Sequence, residues 1–205
     1  MTNFIQRTSG ALSQQECDAV IDFFETNEQR QEVGTIGSDS IVDPKRKVDT
    51  ELYVFLNELV ENKILEPVAS ALRNAWEEYC QTYPFLNKGL ASWRISHVFK
   101  IQKYNPNEAY FEEHCENGGV IDGTMERRLI ALMVYLNTVT DGGQTRFPTQ
   151  NISFSPKVGD ILMWPAYWTH PHHGIASPTQ KKYIVTGWYV FNDSKEIVPY
   201  YANQD

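Results

Sequence analysis

Residues 182–191 of this chain form the run KYIVTGWYVF. Its β-branched and aromatic residues suit the pleated surface of a sheet, so the run predicts a β-strand. Three more runs of this character precede it: Trp93 to Tyr104, Leu129 to Leu136, and Asp160 to Trp164. Turn-forming residues separate the runs at Asn117-Gly118-Gly119, Asp141-Gly142-Gly143 and Ser155-Pro156.

The first third of the chain has a different pattern, which predicts helices. Ser13 and Glu16 have the spacing of a capping box, and apolar residues recur after them at helical intervals. A second helical stretch is expected from Thr50 to Cys80, broken or kinked near Pro67. Helices followed by many short strands predict an α+β fold, a β-sandwich or barrel with helices packed on one face. A jelly roll of this kind brings residues from distant strands to one opening.

Length and composition limit the possible classes of protein. The 205 residues predict one domain, with residues 1–90 as a mainly helical support and residues 91–195 as the jelly-roll core. No apolar run is long enough for a membrane helix, and the N-terminus has no secretory pattern. Three widely spaced cysteines favour a reducing compartment, so a cytoplasmic location without membrane attachment is expected. The net charge of −8 argues against nonspecific binding of nucleic acid.

Four of the five histidines lie in two short clusters. The first is His114-Cys115-Glu116, and the second is His170-Pro171-His172-His173, with Lys182 ten residues after His172. Two imidazoles and one carboxylate can bind Fe(II) on one face of an octahedron and leave positions open for an oxidant and a cosubstrate. A lysine can provide the countercharge for the carboxylate of that cosubstrate. The pattern therefore favours an oxygenase.

Strand alternation assigns directions to these side chains. His114 and Glu116 lie on the same face of an extended segment, while Cys115 points away and is expected to pack. Trp168, His170 and His172 share a face and His173 faces away, so parity alone leaves both His170 and His172 as candidates. Polar loops with incidental histidines, or a structural zinc site, are the alternatives. The cysteines lack the paired spacing typical of such a zinc site.

The half of the chain from Trp93 to Phe191 resembles the Fe(II)- and 2-oxoglutarate-dependent dioxygenases, and among them the prolyl 4-hydroxylase-like branch. The matching motifs occur in the family's order: Ile101 to Pro106, His114 to Gly118, Arg128 to Asn137, Gly142 to Pro148, Gly159 to Leu162, and Trp164-Pro165 through His172 to Lys182 and Trp188. The resemblance implies a double-stranded β-helix core supported by N-terminal helices.

The resemblance also implies roles for individual residues. His114, Glu116 and His172 match the iron ligands, and the ten-residue offset to Lys182 favours His172 over His170. Lys182, rather than its neighbour Lys181, matches the residue that binds the distal carboxylate of 2-oxoglutarate. Tyr104 matches a tyrosine that hydrogen-bonds the same group, and Trp188 matches an aromatic residue of the catalytic pocket. The implied cofactors are Fe(II), 2-oxoglutarate and O2, with ascorbate as a further candidate.

Two features leave the substrate and the metal preference open. The family's usual motif is His-x-Asp, whereas this chain has Glu116, whose extra methylene changes the reach of the ligand. A protein or peptide containing proline is the preferred substrate. The alternatives are a free amino acid, a nucleobase, or a non-catalytic jelly roll that only binds a metal or ligand. The basic run Lys45-Arg46-Lys47 is expected to form a solvated loop, with substrate contact as its alternative.

Overall fold

The computed structural model describes residues 2–37, 40–90, 92–117 and 127–192, and these fold into two antiparallel sheets with helices on one side. The helices are α1 Gln14–Thr26, α2 Leu56–Glu61, α3 Glu66–Thr82 and α4 Phe85–Lys88. The strands are β1 Gln6–Thr8, β2 Gln31–Val33, β3 Thr50–Phe55, β4 Trp93–Ile95, β5 Val98–Tyr104, β6 Arg128–Tyr135, β7 Thr145–Phe147, β8 Ile152–Phe154, β9 Ile161–Pro165, β10 His173–Gly174 and β11 Lys182–Phe191.

The larger sheet has the order β1-β9-β6-β11-β5-β3-β2, and β4 also pairs with β11. The smaller sheet has the order β10-β7-β8. Two sheets packed in this way form the expected double-stranded β-helix. All four strand predictions of the C-terminal half are confirmed, because β4 and β5, β6, β9 and β11 lie where the four runs were found. Gly118 and Gly119 of the first predicted turn lie outside the described residues.

The predicted first helix and its cap are confirmed. The hydroxyl of Ser13 accepts a hydrogen bond from the backbone N–H of Glu16 at 3.3 Å, and the Glu16 carboxylate accepts one from the backbone N–H of Ser13 at 2.7 Å. Both bonds satisfy donors that a helix N-terminus would otherwise leave unpaired. Cys17, Val20 and Phe24 then point from α1 into the core.

The predicted start of the second helical stretch at Thr50 is wrong. Residues 50–55 form strand β3, which pairs with β5 from Thr50↔Lys103 to Phe55↔Val98. Pairing along a whole strand outweighs a local apolar spacing that also suits a helix. The predicted break near Pro67 is confirmed, since α2 ends at Glu61 and Pro67 lies in the first turn of α3. Proline is tolerated there because the first turn needs no intrahelical N–H donor.

The two faces of the larger sheet have different surroundings. On the outer face, Ile101, Leu132 and Val185 pack with α1 and α3 in the main hydrophobic cluster. On the inner face, alternate residues such as Trp164 of β9 pack against the smaller sheet. Trp164 and Phe147 of β7, in the smaller sheet, belong to a second hydrophobic cluster. The inner face opens into a cavity of about 160 Å³. No helix among the described residues has the length and apolar character that a bilayer crossing requires.

Candidate metal centre

Three side chains of the inner cavity form a group that could hold a metal ion. One ligand atom from each of His114, Glu116 and His172 lies within 4.8 Å of the others. The two histidines are brought together by an isolated β-bridge, in which the His114 N–H donates to the His172 carbonyl at 3.0 Å and the His172 N–H donates to the His114 carbonyl at 2.8 Å. Backbone pairing thus holds His114 and His172 together, the two members of the group that lie farthest apart in sequence.

Each imidazole of the group is oriented by a backbone carbonyl. The Nδ1 atom of His114 donates to the Glu112 carbonyl at 2.9 Å, and Nδ1 of His172 donates to the His170 carbonyl at 3.1 Å. A carbonyl only accepts hydrogen bonds, so both rings carry their proton on Nδ1. The lone pairs of the Nε2 atoms are then directed at the Glu116 Oε1 atom, at 3.9 Å from His114 and 3.4 Å from His172. In metal-binding histidines, the ring nitrogen that does not bind the metal commonly donates a hydrogen bond of this kind to a carbonyl.

The protonation of the group also fits a divalent cation. Burial, together with the nearby His172, lowers the pKa of His114 to about 4, so this imidazole is neutral at pH 7. Burial alone would raise the pKa of Glu116, but the positive charge of Arg128 helps to hold it below its usual value. Two nitrogen donors and one anionic oxygen on one side of an open cavity are a suitable set for Fe(II).

The second oxygen of Glu116 has partners of its own. The indole N–H of Trp188 donates to Oε2 at 2.7 Å, and Arg128 contacts the same atom at 3.3 Å. The Arg128 guanidinium also lies over the Trp188 ring, 3.7 Å from its centroid. Glu116 therefore turns one oxygen toward the imidazoles and the other toward the sheet.

A buried lysine forms another part of the cavity wall. Lys182 is 5% exposed, and its ammonium donates to the Gly143 carbonyl at 3.3 Å and lies 4.6 Å from the centroid of the Tyr104 ring. Burial lowers the pKa of Lys182 to about 8, partly opposed by the charge of Asp49. Within the described parts of the chain, no carboxylate lies within ion-pair distance of this ammonium. Its neighbour Lys181 is exposed, as strand alternation predicts.

The six residues singled out from the sequence all border this one cavity: Tyr104, His114, Glu116, His172, Lys182 and Trp188. His173 and Cys115 also border it, although both were expected to face away. Neither provides an atom to the three-residue group. The Cys115 thiol is directed at the Asn117 carbonyl, at 3.6 Å.

The prediction that Trp168, His170 and His172 share one extended face is wrong. The His170 N–H donates to the Tyr167 carbonyl at 2.9 Å, which closes a turn, and Trp168 is 80% exposed. The His170 ring is buried, and its Nε2 atom donates to the Asn3 carbonyl at 2.8 Å. Only the backbone carbonyl of His170 contacts the group, through the hydrogen bond from His172.

The prediction of a solvated loop at Lys45-Arg46-Lys47 is correct only in part. Lys45 is exposed, and Arg46 forms an ion pair with Glu112 near the surface. Lys47 is 5% exposed and forms an ion pair with Glu51, so it belongs to the cavity wall. The backbone of this segment is hydrogen-bonded to residues 109–112, just before His114, which explains why Lys47 is drawn inward.

Several polar residues of the cavity were not identified from the sequence: Glu51, Lys100, Gln102, Arg128 and Thr145. Lys100 and Gln102 alternate with buried apolar residues on β5, and they share the inner face with Tyr104. This period of two was visible in the sequence. The positions of Glu51 and Arg128 depend on strand pairings that one sequence does not specify.

Comparisons with known proteins show which family and which solved folds this chain resembles. Residues 99–190 match the profile of the 2OG-Fe(II) oxygenase superfamily. A curated relative from Acanthamoeba polyphaga mimivirus, named a putative prolyl 4-hydroxylase, is 30% identical over 44% of this chain and 43% of its own length. A probable prolyl 4-hydroxylase 3 from Arabidopsis thaliana is 25% identical over 82% of this chain and 59% of its own length. The chain therefore spans about half the length of these relatives.

Solved structures share the fold at low sequence identity. A viral collagen prolyl hydroxylase from Paramecium Bursaria Chlorella virus-1 superimposes with a TM-score of 0.69 at 19% identity, over 92% of this chain and 97% of its own. A Pseudomonas putida prolyl-4-hydroxylase gives 0.67 at 16% identity, over 94% and 95%. A Trichoplax adhaerens prolyl hydroxylase, in complex with a hypoxia inducible factor peptide fragment, gives 0.69 at 17% identity, over 97% and 87%.

Proposed function

We propose that this chain, whose residues 99–190 match the 2OG-Fe(II) oxygenase superfamily, is a dioxygenase dependent on Fe(II) and 2-oxoglutarate. The proposal rests on one observation: a single cavity contains both a His-Glu-His group and a buried lysine ammonium. Bound Fe(II) would supply the oxidising chemistry, in which O2 and 2-oxoglutarate yield succinate and carbon dioxide while a C–H bond is hydroxylated.

The metal would be held by His114, Glu116 and His172. Their Nε2 atoms and the Glu116 Oε1 atom already face one another, so binding needs little reorganisation of the side chains. Because His114 is neutral and Glu116 is ionised at pH 7, no proton has to leave these two groups before a cation binds. Cys115, His170 and His173 have no ligand role in this assignment.

The distal carboxylate of 2-oxoglutarate would be anchored by Lys182 and Tyr104. A buried ammonium that donates to a carbonyl and has no carboxylate partner among the described residues gains strongly from a carboxylate, because the ion pair forms where little water competes. Burial raises the pKa of Tyr104, so the phenol keeps its proton and can donate it to the same carboxylate. Its oxygen meanwhile accepts a hydrogen bond from the Gln102 side chain at 3.2 Å.

The walls between these two ends would orient the cosubstrate and keep water out. Ile184 and Met133 border the cavity from neighbouring strands of the larger sheet, and Trp164 packs against the His172 ring at 4.9 Å between centroids. Apolar surfaces of this kind lower the local dielectric around charged groups. A charged cosubstrate that pairs with the charged groups of the cavity is therefore bound in preference to water.

The preferred substrate is a prolyl residue in a peptide or protein. The two curated relatives are named as prolyl 4-hydroxylases, and one structural neighbour was solved with a peptide fragment. A peptide would enter from the open side of the cavity, beside the segment of residues 35–37 that borders it.

A second candidate is a free amino acid, and one feature of the cavity favours it. Glu51, Lys100 and Gln102 form a polar wall, with Lys100 donating to Glu51 at 2.8 Å and Gln102 donating to Glu51 at 3.2 Å. A proline ring offers this wall no hydrogen-bonding group, and covering polar groups without new partners costs free energy. The charged ends of a free amino acid would provide such partners.

Succinate formation tests the function. The protein is reconstituted with Fe(II) without oxygen and then assayed in air with 2-oxoglutarate alone, with a proline-rich peptide, or with free amino acids. We expect slow succinate release without substrate and faster release with the peptide. Stimulation by free amino acids alone would establish the second candidate instead. Metal-loaded protein that forms no succinate under any condition would contradict the enzyme and leave a binding module.

Glu116→Ala and Glu116→Asp serve as the control variants of this assay. The first removes the carboxylate and is expected to abolish succinate formation in a protein that still folds. The second restores the carboxylate that is usual in the family and is expected to keep part of the activity. Full activity in Glu116→Ala would show that this carboxylate is not required.

A further inference from the structure

The carboxylate of Glu116 is held at both of its oxygens by different parts of the molecule. Oε1 faces the two imidazoles, at 3.4 Å from His172 and 3.9 Å from His114. Oε2 accepts a hydrogen bond of 2.7 Å from the Trp188 indole. The torsion that would exchange the two oxygens would break this hydrogen bond. The carboxylate is thus already oriented with one oxygen toward the candidate metal centre.

The Trp188 donor is itself held rigidly. Trp188 lies in the middle of β11, where its backbone is paired with Ala131 of β6, and its ring packs against the inner cluster. Arg128 stacks on the ring at 3.7 Å and donates to the backbone carbonyl of Glu116 at 3.2 Å. The indole plane and the Glu116 backbone are therefore fixed relative to each other by a third residue.

The hydrogen bond from the Trp188 indole to Oε2 of Glu116 acts as a brace on the carboxylate. Such a brace matters more for a glutamate than for an aspartate. The extra methylene of Glu116 adds one rotatable bond between the backbone and the carboxylate, so an unheld glutamate samples more orientations. A ligand held in one orientation loses less entropy when the metal binds. The indole hydrogen bond removes this rotational freedom, because it holds the carboxylate at the end of the longer side chain.

We propose that Trp188 is a positioning residue, whose indole N–H holds Oε2 of Glu116 and so presents Oε1 as the metal-binding oxygen. This inference rests on the proposed metal centre and deepens it. It gives Trp188 a task beyond forming an aromatic wall. It also explains how this chain accommodates glutamate where its resemblance leads one to expect aspartate.

Co(II) binding tests the brace without relying on activity. Trp188→Phe keeps an aromatic ring for Arg128 to stack on and removes only the donor. Loss of a contact that orients a metal ligand lowers metal affinity by about 10- to 100-fold, and we expect a weakening of this size for Co(II). The visible absorption of bound Co(II), which reports its ligands, should change as well because Glu116 is free to turn.

A double-mutant cycle with Glu116→Asp separates the brace from a general effect of the ring. Aspartate is one methylene shorter, so its carboxylate cannot contact both the imidazoles and the indole. Trp188→Phe should therefore change Co(II) affinity far less in the Glu116→Asp background than in the parent. Trp188→His retains a ring N–H donor and should recover part of the affinity.

Trp93→Phe is the matched control for loss of an indole donor. The Trp93 indole donates to the Leu86 carbonyl at 3.1 Å, on β4 and away from the cavity. We expect this variant to bind Co(II) as the parent does. Circular dichroism of each variant confirms that it is folded before the titration.

The outcomes of these titrations distinguish the brace from the metal centre. Equal Co(II) affinity in Trp188→Phe and the parent would overturn the brace and leave the metal centre intact. Equal losses from Trp188→Phe in the glutamate and aspartate backgrounds would also overturn it, because the effect would then not pass through Oε2. A parent protein that binds no Co(II) would overturn the metal centre itself and the brace with it.

Discussion

Strand β11 turns Val185 and Tyr189 toward the helices, and it turns Lys182 and Trp188 toward the cavity. The outer residues lie in a large apolar cluster, where burial stabilises the fold. The inner residues include a buried ammonium whose pKa is lowered by burial, so the fold disfavours its charge. Alternate residues of one strand therefore have opposite effects on stability. The strand acts as the boundary between a stabilising core and a binding site.

The largest effect is expected from the replacement of His172, which lies on the cavity side of the molecule. His172→Ala should abolish tight Fe(II) binding and 2-oxoglutarate turnover, because it removes one of three ligand atoms. His170→Ala should still bind iron, since only the backbone carbonyl of His170 contacts the group. Iron titration of both variants under nitrogen measures the difference. Loss of iron in His170→Ala with retention in His172→Ala would reverse the assignment.

A substitution on the outer face should have the converse effect. Ile101 is 1% exposed and belongs to the apolar cluster shared with the helices, so Ile101→Ala should lower the free energy of unfolding by about 2–5 kcal/mol. Urea denaturation measures this loss. The fraction that remains folded should bind Fe(II) with the affinity of the parent. If metal affinity fell while stability did not, the two faces would not be separable in this way.

The sequence predicted best the features that depend on neighbouring residues. The ten-residue offset from His172 favoured Lys182 and strand alternation turned Lys181 away from the site, and the capping box located the start of α1. Both depend on residues close together in sequence, whose relative directions are set by local geometry. The pair His114 and Glu116 was predicted for the same reason.

The incorrect predictions concern residues whose structure depends on contacts with segments distant in sequence. Residues 50–55 have an apolar spacing that suits a helix, but hydrogen bonds to β5 make them a strand. His170 was placed on an extended face, whereas a turn redirects it toward Asn3. The contact between Trp188 and Glu116 joins residues 72 positions apart, so no local pattern could reveal it.

The contribution of Lys182, on the inner face, to the stability of the fold should depend on pH. The pKa of Lys182 is lowered on folding, so between about pH 8 and 10 the unfolded chain binds more protons than the folded one. The contribution of Lys182 to stability therefore becomes more favourable as the pH rises through this window. Without ligand, Lys182→Met should be more stable than the parent at pH 7, by on the order of 3 kcal/mol.

Urea denaturation from pH 7 to above pH 10 checks this expectation. The advantage of Lys182→Met should shrink as the pH rises through the window and the parent lysine loses its charge in both states. Lys181→Met is the control, because Lys181 is exposed and its charge is solvated in both states. A constant difference between Lys182→Met and the parent across this range would mean that the ammonium is not strained by burial.

Equilibrium dialysis of 2-oxoglutarate without oxygen shows whether one cavity holds this cosubstrate between a metal and Lys182. The Fe(II)-loaded parent and Lys181→Ala should bind 2-oxoglutarate stoichiometrically and with equal affinity. Omission of the metal should weaken binding. Lys182→Ala should weaken it about ten- to a hundredfold, the effect of losing a charged hydrogen bond worth roughly 1.5–3 kcal/mol. Equal binding with and without metal, or equal binding by Lys182→Ala and the parent, would contradict this arrangement.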